Sequence, residues 1–110
     1  MAYDVRSEGE TTIVALSGDV DLDNSPQVRA VLLDSVREKR GVLVEMSAVS
    51  YIDSSGIASL VEAYQSARHG STGFALVAVS DAAMRVLELA RLDRVFCIHA
   101  SIADALADAG

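Results

Sequence analysis

The stretch that decides the fold is Tyr51-Ile52-Asp53-Ser54-Ser55-Gly56. Ahead of it runs Val42-Leu43-Val44-Glu45-Met46, apolar and β-branched enough to read as a buried strand. Behind it Ile57, Leu60, Val61 and Tyr64 recur at i, i+3, i+4 and i+7, one face of a helix. Asp53 to Gly56 therefore sit where a strand ends and a helix begins. A helix start exposes unpaired backbone N–H groups and carries partial positive charge. Asp and Ser side chains satisfy such donors, and a phosphate can be held at such a place. Two readings follow for Ser54: a helix cap, or a modifiable switch.

Outward from this centre the chain alternates strands and helices. Tyr3 and Val5 alternate with polar residues, and Thr11 to Leu16 is β-prone, so the opening reads as two strands joined at a turn near Gly9. Ser17 to Asn24 reads as a loop carrying Asp19, Asp21 and Asp23. Asn24 or Ser25 then caps a helix with Pro26 at its first position. Val28, Val31, Leu32 and Val36 form its inner stripe, and Lys39-Arg40-Gly41 closes it. The helix opened by Asp53 runs to about His69, where Gly70-Ser71-Thr72-Gly73 breaks it. Phe74 to Val79 is a central strand, apolar on both faces. Ser80 or Asp81 caps a third helix with Ala83, Val86, Leu87 and Ala90 facing inward. Val95 to Ile98 is a last strand, and Ser101 caps a final helix with Ile102, Ala103 and Leu106. The order β-β-α-β-α-β-α-β-α predicts one α/β domain over residues 1–110, a mostly parallel sheet with helices packed on it.

Composition narrows the function classes. At 110 residues the chain holds one core, and 51% hydrophobic residues with a single Pro rule out a disordered tail protein. A net charge of −7 disfavours nucleic acid and anionic membranes, whose binding rests on basic residues. The longest apolar run, Phe74 to Val79, is far too short for a bilayer span. No secretory signal is visible, and the only cysteine, Cys97, fits a reducing compartment, so a cytoplasmic location is expected.

Catalysis finds little support. A nucleophile elbow wants Gly two residues before its serine, where this chain has Ile52. His69 lies at the far end of the same helix as Ser54, and His99 follows the last strand, so neither offers Ser54 a base. Asp19, Asp21 and Asp23 echo a Ca²⁺ loop but lack its Gly and distant Glu, and a solvated turn is the better reading. No Walker loop is present, so no nucleotide, metal or other cofactor is expected. Cys97, within an apolar strand, reads as a small core residue.

Taken together, Gly18-Asp19-Val20-Asp21, Val49 to Ile57 with its Asp-Ser-Ser-Gly core, and Leu87 to Phe96 resemble a STAS domain of the bacterial anti-sigma factor antagonist type. The resemblance covers essentially the whole chain. It implies a mixed, mostly parallel sheet of four to five strands, with about four helices mainly on one side. It also places an accepted phosphate on Ser54, with Ser55 as the rival acceptor. The implied donor is ATP held by an anti-sigma factor serine kinase, and a phosphatase of the PP2C type removes the group. Unmodified, such an antagonist binds the anti-sigma factor and frees a sigma factor; it is not an enzyme. Asp21 is nominated as a kinase contact, with Asp23 in the same loop. Asp53, Ser55, Gly56, Ile57, Ala58 and Val61 complete the expected docking face. Ile57-Ala58 replaces the Leu-Gly common at this point in the family, and Glu45 stands where Asp or a neutral residue is commoner. A stand-alone subunit docked on a transporter ATPase, with Ser54 only a cap, is the alternative that the same scaffold allows.

Overall fold

A computed structural model describes residues 1–109. In chain order its elements are β1 (Ala2–Glu8), β2 (Thr11–Val20), α1 (Ser25–Arg37), β3 (Gly41–Ile52), α2 (Ser54–His69), β4 (Phe74–Val77), α3 (Asp81–Leu89), a 3-10 turn (Leu92–Arg94), β5 (Cys97–His99) and α4 (Ile102–Ala109). The strands lie in the order β1-β2-β3-β4-β5. β1 pairs antiparallel with β2, and every other pairing is parallel. Each parallel step is bridged by one helix, which is how parallel neighbours must be connected.

Side-chain alternation along the strands sorts the helices into layers. Val42, Val44 and Met46 enter the larger core, whereas Leu43 between them enters a smaller one on the opposite face. Val14 and Ile13, or Leu76 and Ala75, divide in the same way. The larger core receives Val28, Leu32, Leu33 and Val36 of α1, Leu60 and Ala63 of α2, and Ala83 and Leu87 of α3. The smaller core receives Ala105, Ile102 and Leu106 of α4. A mixed five-stranded sheet carries three helices on one face and α4 on the other, in line with the expected mostly parallel sheet of four to five strands with about four helices mainly on one side.

The departures have local causes. β2 runs on to Val20 and β3 to Ile52, through polar residues that the sequence reading left outside the strands. Pairing between these two strands persists there by shifting register twice, between Ala15 and Ser17 and between Gly18 and Asp19. Gly18 takes a φ of +79°, a backbone state open mainly to glycine. β4 stops at Val77, because Ala78 turns into the left-handed region at φ +51°. β5 starts at Cys97, leaving exposed Val95 and buried Phe96 before it. Cys97 is exposed, not a core residue, since it lies on the short strand at the sheet's edge. Ala90 ends α3 facing solvent, and Ala103 is exposed while Ala105 takes the buried place in α4. Val31 is half-buried, and Leu33 joins the inner stripe of α1 instead.

Candidate phosphorylation and docking site

The site is built where the C-terminal ends of β2 and β3 meet the start of α2. Asp53, extended at φ −106° and ψ −173°, is the N-cap of α2. Its Oδ1 accepts hydrogen bonds from the N–H groups of Ser55 (2.9 Å) and Gly56 (3.1 Å). Two of the helix's orphan donors are thereby satisfied by one carboxylate. The Asp53 N–H donates to the Val20 carbonyl at 3.1 Å, tying the cap to the end of β2. Capping is thus done by Asp53, and Ser54 is relieved of it. Ser54, the first residue of α2, is exposed, and among the described residues its hydroxyl has no hydrogen-bond partner.

Gly56 and Ile57 lie beneath this surface. A Cβ on Gly56 would stand 2.7 Å from Ile52 Cγ1, 2.8 Å from Val20 Cγ1 and 3.0 Å from the Val20 carbonyl oxygen. Glycine is what lets α2 seat so closely on the strand ends. Ile57 is buried in the larger core and Val61 is half-buried against it. Ala58 faces outward. Ser55 is half-buried and, with Ser25, Arg29, Ala58, Ser59 and Glu62, lines a shallow cleft of about 290 Å³ between α1 and α2. Arg29 and Glu62 form an exposed ion pair across it. The Ser59 hydroxyl lies 3.2 Å from the carbonyls of both Ser25 and Ser55, joining the two helix starts.

The acidic loop between β2 and α1 is wound on itself. The Asp23 N–H donates to Asp21 Oδ1 (3.1 Å), and the Asp21 N–H donates to Asn24 Oδ1 (2.9 Å). Asn24 Nδ2 donates to the Asp19 carbonyl at 2.8 Å. Asn24 is the N-cap of α1, but its side chain makes no capping bond and serves the loop instead of the helix. Asp21 is half-buried and Asp23 exposed. Between them Leu22 is 71% exposed, and its N–H donates to Asp53 Oδ2 at 3.2 Å. Leu22 is the residue the sequence reading missed. The available signal was an apolar residue flanked by two aspartates in a loop.

The remaining candidates lie elsewhere. His69 is exposed at the far end of α2, about 22 Å from Ser54 at 1.5 Å per residue. His99 is on β5 with Nε2 3.2 Å from Cys97 Sγ. Among the described residues no group of three or more His, Cys, Asp or Glu side chains is placed to hold a metal ion. No described helix is long and apolar enough to cross a membrane.

The family model of the STAS domain matches residues 2–107. The chain belongs to the STAS domain family. It is 27% identical over 84 residues to the anti-sigma-B factor antagonist of Listeria monocytogenes, covering 74% of this chain and 73% of that one. A solved anti-sigma factor antagonist from Mycobacterium paratuberculosis superposes with a TM-score of 0.88 at 26% identity, over 97% of this chain and 92% of that one. The Bacillus cell fate determinant SpoIIAA, solved in its phosphorylated form, superposes at 0.77 with 18% identity, covering 99% and 100% of the two chains. This STAS domain is thus similar to proteins named as anti-sigma factor antagonists.

Proposed function

We propose that this STAS domain is an anti-sigma factor antagonist switched off by phosphorylation of Ser54. The observation that supports it most is the division of labour at α2: Asp53 caps the helix, and the neighbouring hydroxyl is exposed and unengaged. In its unmodified state the domain docks on an anti-sigma factor serine kinase through Asp21, Leu22, Asp23, Ser54 and Ala58, with Ser55 at the cleft margin. Docking releases a sigma factor. Asp53, Gly56, Ile57 and Val61 hold that surface in place from behind. A phosphatase of the PP2C type resets the switch.

The electrostatics gives the switch its sign. A phosphoserine adds roughly −1.5 to −2 charges at pH 7. A helix N-terminus normally welcomes such a charge. Here the N–H groups of Ser55 and Gly56 are already given to Asp53, so the phosphate would meet a carboxylate and occupied donors. The acidic loop, tied to Asp53 through Leu22, adds further negative charge on the same side. An unpaired charge carried into a buried interface costs about 3–5 kcal/mol. At 1.4 kcal/mol per tenfold, that is roughly a hundred- to several-thousand-fold in affinity. No rearrangement of the fold is required. Incubation with the cognate kinase and ATP, followed by intact mass and peptide mapping, tests the assignment. One added phosphate on Ser54 is expected; an acceptor at Ser55, or none with tight binding retained, would remove it.

A further inference from the structure

β1 is the edge of the sheet, and all seven of its residues, Ala2 to Glu8, are exposed. Its register places Tyr3 opposite Leu16 and Val5 opposite Val14, both buried in the larger core. Tyr3 and Val5 therefore extend the apolar helix-side face of the sheet, yet they remain 51% and 44% exposed. Asp4, Arg6 and Glu8 alternate with them onto the other face. An exposed edge of this length is a template for another strand.

The strand's own sequence says which one. We infer that β1 pairs antiparallel with β1 of a second copy, centred on Val5, to make one continuous ten-stranded sheet. Around a two-fold axis through that centre, Asp4 of each chain faces Arg6 of the other, Tyr3 faces Ser7, and Val5 faces Val5. Both apolar faces stay on one side. Sliding the pairing by one step in either direction that preserves the faces sets Asp4 against Asp4, or Arg6 against Arg6. Opposite charges directly across strands stabilise and like charges destabilise, so of these three registers the charge pattern selects the one centred on Val5. Ser54 is on α2, which packs against α1, β3 and β4, so the pairing uses a different surface from the proposed switch.

Sedimentation of the whole chain over a wide concentration range tests this. Wild type is expected to form dimers. Asp4→Arg and Arg6→Asp are each expected to weaken dimerisation about tenfold or more, while keeping the wild-type circular dichroism and, at dilutions where both are monomers, the wild-type melting temperature. Asp4→Arg does so although it makes the chain less negative overall, which separates local pairing from net repulsion. Mixing the two variants restores complementary pairs and should give a heterodimer, and the doubly swapped chain should form a homodimer with itself. A wild type that stays monomeric, a dimer indifferent to both variants, or a mixture that fails to associate overturns the inference.

Discussion

Asp53 and Leu22, 31 positions apart, are joined by a hydrogen bond from the Leu22 N–H to Asp53 Oδ2 at 3.2 Å, while the other oxygen of the same carboxylate caps α2. One side chain thus fixes both the helix that carries Ser54 and the loop that carries the exposed leucine. Removing it should disturb both. Asp53→Ala is expected to cost about 1–2 kcal/mol, the usual worth of a lost N-cap, seen as a Tm lower by several degrees. Amide exchange of Leu22 should accelerate in the same variant. An unchanged Leu22 exchange rate would show that the loop is held by its own turns alone.

Leu22 offers the complementary case. At 71% exposed it contributes little to the fold, so Leu22→Ala should leave stability within about 0.5 kcal/mol of wild type. As an apolar side chain in a proposed interface it should nonetheless lower affinity for the cognate anti-sigma factor by roughly tenfold or more. Paired urea melts and binding titrations separate the two effects. Equal affinity would take Leu22 out of the docking surface.

Gly56 makes a prediction about sign. Alanine is favoured over glycine in a helix by about 1 kcal/mol. The new Cβ would, however, lie 3.0 Å or less from Ile52, Val20 and the Val20 backbone oxygen. A backbone oxygen in a paired strand yields little, and overpacking of this kind costs typically 1–3 kcal/mol. Gly56→Ala is therefore expected to be net destabilising in chemical denaturation, and a gain in stability would show that the strand ends shift freely.

These cases also show what could be read before any coordinates. Asp53 at the strand-to-helix junction was legible, because strand pattern, cap residue and helix stripe all converge there. So was the order of elements, since alternating periodicities mark them independently. The length of β2 and β3 was not. Ser17-Gly18-Asp19 has loop-like composition and Ser47 and Ser50 interrupt the apolar run of β3, and only pairing between the two strands carries both on to Val20 and Ile52. Burial at the sheet's margins was illegible for a related reason. Cys97 belongs to an apolar run, but its exposure depends on what neighbours β5. Whether Ser54 or Asp53 supplied the cap could not be decided from residue types that both suit the role. Gly56 was expected on the docking face, whereas its burial makes it the seat of the helix.

Partner identity separates the proposed role from its alternative. Recovery of a kinase-type anti-sigma factor with the tagged native chain is expected. Recovery of a transporter ATPase, undiminished by Ser54→Asp, would favour a permanent docking subunit.

Ser54→Ala should retain binding and lose phosphorylation without change in stability, because its hydroxyl supports nothing else among the described residues. The most direct measurement is a calorimetric titration of the purified cognate anti-sigma factor with wild type and Ser54→Asp side by side. A loss of about a hundredfold or more in affinity, with the melting temperature of the variant unchanged, is the expected result. Equal affinities for a correctly folded variant would contradict a charge-gated interface at Ser54.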